Sequence, residues 1–195
     1  GAGLPEAPHL MVEFHGTESG VAEDAARFAE IADEYGARDI QRAHLPEDRN
    51  RLWKMRHHAY WSILQSRPGA TAIVTDICVP ISRLAEAVEE TQADIAASQI
   101  AGPILGHVGD GNFHAVLMAR PDDPADLAAA RAIAARMAER ALRLGGTVTG
   151  EHGIGMGKLE YMQAEHGEAW AVMGDIKRVL DPANVMNPGK VVPQP

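Results

Sequence analysis

Gly106-His107-Val108-Gly109-Asp110-Gly111-Asn112-Phe113-His114 separates two apolar runs, 103–108 and 113–119. An Asp-Gly pair between such runs is a strong signal for a β-hairpin closed by a two-residue type I′ turn. With Asp110-Gly111 as that turn, Gly109 faces Asn112, Val108 faces Phe113 and His107 faces His114. Directly opposed residues share one face of a sheet, with Cβ atoms about 5 Å apart. The hairpin is therefore expected to present two imidazoles to one side of an antiparallel sheet.

Working outward, residues 70–79 form the strongest strand signal, rich in β-branched side chains and stopped by Pro80. Ser82 is placed to cap a helix with Leu84, Val88, Thr91 and Ile95 on one face. After the hairpin, Asp123 caps a long helix with Pro124 in its first turn and a stripe of Leu127, Ala130, Ile133, Met137, Ala141 and Leu144. Gly145-Gly146 ends it, and two short helices divided by Gly167 follow a glycine-rich segment. Toward the amino terminus, Leu10–His15 and Arg38–Leu45 read as strands. Ser19 starts a helix with Val21, Ala25, Phe28, Ala32 and Tyr35 inward, and a further helix runs from Pro46 to about Gln65. Strands mixed with helices around a hairpin predict an α+β fold of the ferredoxin-like kind, with helices on one face of an antiparallel sheet.

The bulk numbers exclude some function classes. At 195 residues with 46% hydrophobic and 23% charged residues, the chain can bury a real core. A formal charge of -9 argues against nucleic acid, whose phosphates need clustered Lys and Arg. The single cysteine, Cys78, excludes an internal disulfide framework and reads as a packed thiol in a reducing, cytoplasmic setting, peripheral attachment to an inner membrane being compatible with it. No run approaches the roughly 18 apolar residues of a membrane span. Gly1-Ala2-Gly3-Leu4-Pro5 lacks a basic and an apolar region, so it reads as a linker or cut edge rather than a leader.

Three segments carry chemistry. His107 and His114, held close by a turn, can bind one divalent metal; they can equally be ordinary histidines beside a hairpin. Thr149-Gly150-Glu151-His152-Gly153-Ile154-Gly155-Met156-Gly157-Lys158 has four glycines in ten residues around a Glu-His pair. Its spacing misses both the phosphate-loop and the dinucleotide patterns. Glu151 can complete a two-His, one-carboxylate metal set, leaving His152 as an acid/base group; the alternative is an exposed glycine-rich turn. In the helix after Pro46, Trp53, Arg56 and Tyr60 stand at i, i+3 and i+7 and share a face. An arginine among aromatics suits a carboxylate, or it simply extends its head to water from an amphipathic helix. The adjacent His57-His58 point apart and do not suggest a joint metal role.

In order along the chain, Leu52-Trp53 with Arg56-His57, Thr75–Leu84, the His107–His114 hairpin, Gly150–Gly155 and Asn187-Pro188-Gly189-Lys190 resemble the carboxy-terminal region of FAD-linked oxidases, the D-lactate dehydrogenase branch in particular. The likeness runs from Met11 to Val191. It implies a substrate or cap domain over 1–145 and a segment over 146–195 that returns to the flavin site, the FAD lying on a separate amino-terminal domain that this sequence lacks. It implies His107, His114 and Glu151 as ligands of zinc or manganese, Arg56 as the substrate-carboxylate partner, His152 as proton acceptor and substrate contact, and Asn187 near the flavin. It implies a small 2-hydroxy acid as substrate, an electron acceptor such as a cytochrome, a quinone or an electron-transfer flavoprotein, and room for a homo-oligomer. A fragment without the flavin domain is expected to be inactive alone.

Related D-2-hydroxyglutarate dehydrogenases hold a second carboxylate with a Lys and an Asn where this chain has Val74 and Val116. A short monocarboxylic acid is therefore expected, lactate first, with glycolate also in range. A non-catalytic metal-binding domain and a metal-assisted hydrolase remain as competing classes at this stage.

Overall fold

The computed structural model describes residues 7–193, so the linker-like Gly1–Pro5 lies outside the described part. The chain divides between Ala59 and Tyr60 into two compact units.

The first unit holds helices α1 (Glu18–Glu34) and α2 (Pro46–His57). Thr17, not the expected Ser19, caps α1, its Oγ1 accepting from the Gly20 N–H at 3.3 Å. Val21, Ala25, Phe28 and Ala32 are half-buried as expected, whereas Tyr35 is 87% exposed. The two strands expected here, Leu10–His15 and Arg38–Leu45, are not formed. A strand exists only as part of a ladder, and neither segment enters one; Phe14 packs edge-on against Phe28, ring centroids 5.8 Å apart. The helix expected to continue to Gln65 breaks at His58, whose backbone N–H and ring Nδ1 both reach the Lys54 carbonyl, at 3.1 and 2.7 Å. The helix α3 that follows (Ala59–Ser66) starts afresh, so Tyr60 is not on the helix that carries Trp53 and Arg56.

The second unit contains a sheet of β1 (Thr71–Val74), β2 (Ile77–Cys78), β3 (Ile104–His107) and β4 (Asn112–Ala119). β1 and β2 pair with β4 in one continuous antiparallel register, Val74 opposite Val116 and Ile77 opposite Phe113. They are the expected 70–79 strand, interrupted only at Thr75-Asp76. β3 pairs with the other side of β4, and Cys78 meets Thr147 in an isolated bridge. Across the sheet the order is Thr147, β1/β2, β4, β3, the ferredoxin-like order with its last strand reduced to one bridge.

Helices α4 (Leu84–Ala96) and α5 (Pro124–Arg143) cover one face. Odd-numbered residues of β4, Phe113, Ala115, Leu117 and Ala119, meet Ala87, Ala130, Ile133, Met137 and Ala141 there, all buried. Each large apolar side chain so buried stabilises the fold by about 1.5–3 kcal/mol. Asp123 caps α5 as expected, accepting from Ala125 N–H at 2.9 Å. Ser82 does not cap α4: Ile81–Arg83 forms a 3-10 turn first, and no side chain caps the helix. Helices α6 (Leu159–His166) and α7 (Ala169–Leu180) follow, and the tail returns to the glycine-rich loop, Val191 N–H donating to Gly155 O at 2.9 Å.

Candidate metal centre

Even-numbered residues of β4 point away from the helices, and this face carries the site. The register puts Thr75-Asp76 across from His114-Ala115, Asp76 therefore lying opposite His114. At this point the ladder changes partners. Thr75 N–H donates to Ala115 O at 3.0 Å, but Ala115 N–H returns its bond to Thr75 Oγ1 at 2.8 Å. The Thr75 carbonyl is thereby released, and His114 Nδ1 donates to it at 3.0 Å. A carbonyl only accepts, so Nδ1 carries a proton, and Nε2 is the nitrogen that faces outward. Glu151 Oε1 sits 2.9 Å from that Nε2.

A nitrogen and a carboxylate oxygen at that separation require a proton or a cation between them. Ligands of one tetrahedral zinc, with bonds near 2.0–2.2 Å, lie about 3.4 Å apart, and those of an octahedral ion at right angles about 3.0 Å apart. The donor set thus fits a divalent ion. His152 stacks on His114, ring centroids 4.8 Å apart and planes at 7°. Asp76, His114 and His152 offer ligand atoms that all lie within 4.8 Å of one another. The buried Asn112 Oδ1 has no hydrogen-bond partner.

The loop bearing Glu151 and His152 is held by Asp76, which is 2% exposed. Its carboxylate accepts from the backbone N–H groups of Gly150, Glu151 and His152 at 2.9, 3.0 and 2.8 Å, from Thr149 Oγ1 at 2.9 Å and from Asn112 Nδ2 at 2.8 Å. Burial alone would raise its pKa; the donors from His152, Asn112, Thr149 and Glu151 outweigh it and hold the carboxyl well below the usual carboxylate range. Lys158 donates to the carbonyls of Asp76 and Val148 at 2.8 and 2.6 Å, and burial lowers its pKa. Gly150 is needed for contact, since a Cβ there would overlap the Asn112 amide.

The expected type I′ hairpin is corrected. Val108–Asp110 form a 3-10 turn, Gly111 adopts φ 76°, and the closing pair is His107 with Asn112. Gly111 is pinned because its carbonyl accepts from Val79 N–H at 3.0 Å, which leaves no room for the tighter loop. His114 therefore faces Leu105, and His107 is its diagonal neighbour on the same face, about 7–8 Å away by backbone geometry. The structure thus brings His114, Glu151 and His152 together. His107 is exposed at the end of β3 and belongs to no cluster of three close ligand atoms among the described residues. Arg56 is half-buried on α2 in the first unit. Asn187 is exposed in the tail at φ 47°, its Oδ1 accepting from Lys190 Nζ at 3.1 Å. Asp76, Thr75, Asn112 and Lys158 escaped the sequence reading, although an aspartate inside a β-branched run is a visible anomaly.

The family described as FAD linked oxidases, C-terminal domain, matches residues 2–191. The chain belongs to that family. Among relatives of this FAD-linked oxidase domain, a probable mitochondrial D-lactate dehydrogenase of Danio rerio is 46% identical over 95% of the chain and 37% of the relative. The mitochondrial D-lactate dehydrogenase [cytochrome] of Arabidopsis thaliana is 41% identical over 99% of the chain and 34% of the relative. The glycolate oxidase subunit GlcD of Bacillus subtilis is 31% identical over 97% and 40%. The FAD-linked oxidase domain thus spans little more than a third of the curated proteins it matches. No helix among its described residues is long and apolar enough to cross a membrane.

Proposed function

We propose that this chain is the metal- and substrate-holding portion, cap domain plus returning segment, of a flavin-dependent dehydrogenase that oxidises D-lactate, or a similarly short D-2-hydroxy acid, to the 2-oxo acid. The observation that carries it is the 2.9 Å approach of His114 Nε2 to Glu151 Oε1, with His152 stacked alongside, in a chain of the FAD-linked oxidase family.

Oxidation removes a hydride from Cα and a proton from the hydroxyl oxygen. FAD, when bound, would supply the hydride acceptor. His107, His114 and Glu151 would hold zinc or manganese, which lowers the pKa of the substrate hydroxyl when bound. An imidazole nitrogen of His152 takes the hydroxyl proton, its ring kept in place by stacking on His114. Arg56 would bind the substrate carboxylate, and Asn187 would contact the flavin. Val74 and Val116, directly opposed on the same face as His114, offer a distal carboxylate no partner. A cytochrome is the acceptor we favour, and the single free Cys78 suits a reducing compartment.

The test is anaerobic flavin bleaching in the full-length protein. D-Lactate should reduce the flavin rapidly and D-2-hydroxyglutarate poorly. Failure of every short D-2-hydroxy acid to do so would refute the assignment.

A further inference from the structure

We propose that Asp76 is the positioning residue of this site: a buried anion that is not itself a metal ligand, and that locks the loop bearing Glu151 and His152 onto the strand bearing His114. The inference rests on the metal-holding reading above for its consequence, but not for the locking itself.

Lone-pair occupancy separates Asp76 from a ligand. Oδ2 receives Thr149 Oγ1, Gly150 N–H, Glu151 N–H and His152 N–H, at 2.9, 2.9, 3.0 and 2.8 Å. Oδ1 receives Asn112 Nδ2 at 2.8 Å and the Glu151 N–H again at 3.3 Å. Five donors thus converge on the roughly four lone-pair directions of one carboxylate. Oδ1, the less occupied oxygen, lies 3.6 Å from His114 Nδ1, a nitrogen already bonded to the Thr75 carbonyl, although ligand atoms of Asp76, His114 and His152 all lie within 4.8 Å of one another.

The donors also form a pattern. Three successive backbone N–H groups converging on one oxygen make a concavity of the sort that binds free anions. Here the chain fills it with its own carboxylate, delivered from the neighbouring strand. The conformation of residues 150–152 therefore depends on a charge 74 to 76 positions earlier in the sequence. Lys158 Nζ, 3.6 Å from Oδ2 and bonded to the Asp76 carbonyl, balances that charge. Asp76 lies opposite His114, so the same residue sets the separation between the strand half and the loop half of the site.

The test uses the full-length enzyme stripped of metal, with Asp76→Asn, Thr149→Val and Thr149→Ser. Asparagine keeps the shape but has one carbonyl oxygen and no charge to offer the converging N–H groups. Amide hydrogen exchange is read across residues 149–152, and Co2+ is the metal probe. In Asp76→Asn, exchange at 150–152 should quicken on the order of tenfold or more, and Co2+ should bind about 10–100-fold more weakly. At saturation the cobalt absorption spectrum should match wild type, because the ligand set is unchanged. Thr149→Val should quicken exchange several-fold and Thr149→Ser should restore it; this pair decides the question should Asp76→Asn not fold. Unchanged exchange in the variants, or a changed cobalt spectrum in saturated Asp76→Asn, would overturn the proposal. Failure of wild type to bind Co2+ would count against the metal reading alone, the exchange result still deciding the locking.

Discussion

Ala115 N–H bonds to the hydroxyl of Thr75 at 2.8 Å where an unbroken ladder would use the Thr75 carbonyl, and that carbonyl serves His114 instead. One side chain thus converts a structural hydrogen bond into a tautomer-setting one. Thr75→Val removes the hydroxyl while keeping size and β-branching. Either Ala115 N–H is left unpaired in a buried strand, costing about 1–3 kcal/mol, or the carbonyl turns back and His114 loses its orienting acceptor. Urea denaturation and zinc titration read the two. We expect a lower denaturation midpoint or a zinc affinity reduced about 10–100-fold; wild-type values of both would contradict the account.

Gly150→Ala should act on the site rather than on the fold. A Cβ there would overlap the Asn112 amide, which itself donates to Asp76 and to Ile77 O at 2.8 and 2.9 Å. The helix-packed core lies on the other face of the sheet and needs no adjustment. Circular dichroism should be unchanged while metal affinity falls by on the order of tenfold or more. A variant that binds metal normally would show that the loop does not pack on Asn112 as described.

Outside the metal site, acid sensitivity should show at Asp126. It is fully buried, and the Arg120 side chain, bonding it at 2.9 Å, holds its pKa below the usual value. In the unfolded chain an aspartate returns to about 3.9. Below that pH the unfolded state takes up the proton first, so the stabilisation is complete above about pH 4 and is lost as pH falls through the lower folded value. Asp126→Asn should therefore be less stable than wild type at pH 7, and the difference should shrink in strong acid. Urea midpoints across pH 2.5–7 measure this, and coincident midpoints at pH 7 would contradict it.

Val74 and Val116 should set substrate length. Seating a second carboxylate against two valines leaves it desolvated without a partner, a cost of a few kcal/mol, or on the order of a hundredfold in kcat/KM. Val116 is buried and Val74 is 38% exposed, so Val74 is the position that can accept a longer, charged side chain. In the full-length enzyme Val74→Lys should raise kcat/KM for D-2-hydroxyglutarate relative to D-lactate. An unchanged ratio would place the distal pocket elsewhere.

The second unit was legible because its signals agree. The β-branched run at 70–79, the Asp123-Pro124 helix start and the Gly145-Gly146 stop each specify what the tertiary structure uses. In the first unit, strand propensity at Leu10–His15 had no ladder to join, and propensity alone does not hold a strand. The hairpin loop departs from its local signal in length. Gly109, Asp110 and Gly111 allow several turns, and the choice falls to a long-range bond from Val79 that no local pattern encodes. Glu151 and His152 were found through the glycines around them. Their anchor Asp76 was not, because its partners lie in a remote loop, although a charge set among Ile, Val and Cys should have prompted the question.

The broken strand also bears on what the sheet exposes to other molecules. Among the described residues its free margins are β1, four residues long, and β3, which extends past Pro103 only as an isolated bridge from Ala101 to Met118, while Thr147 sits against β2. β3 follows Pro103, which has no N–H to offer, and β1 runs into Asp76, a charge turned toward the site. A second chain seeking to extend the sheet would find runs too short and too interrupted to template on. The interruption that releases the Thr75 carbonyl for His114 therefore also guards the sheet against edge-to-edge aggregation.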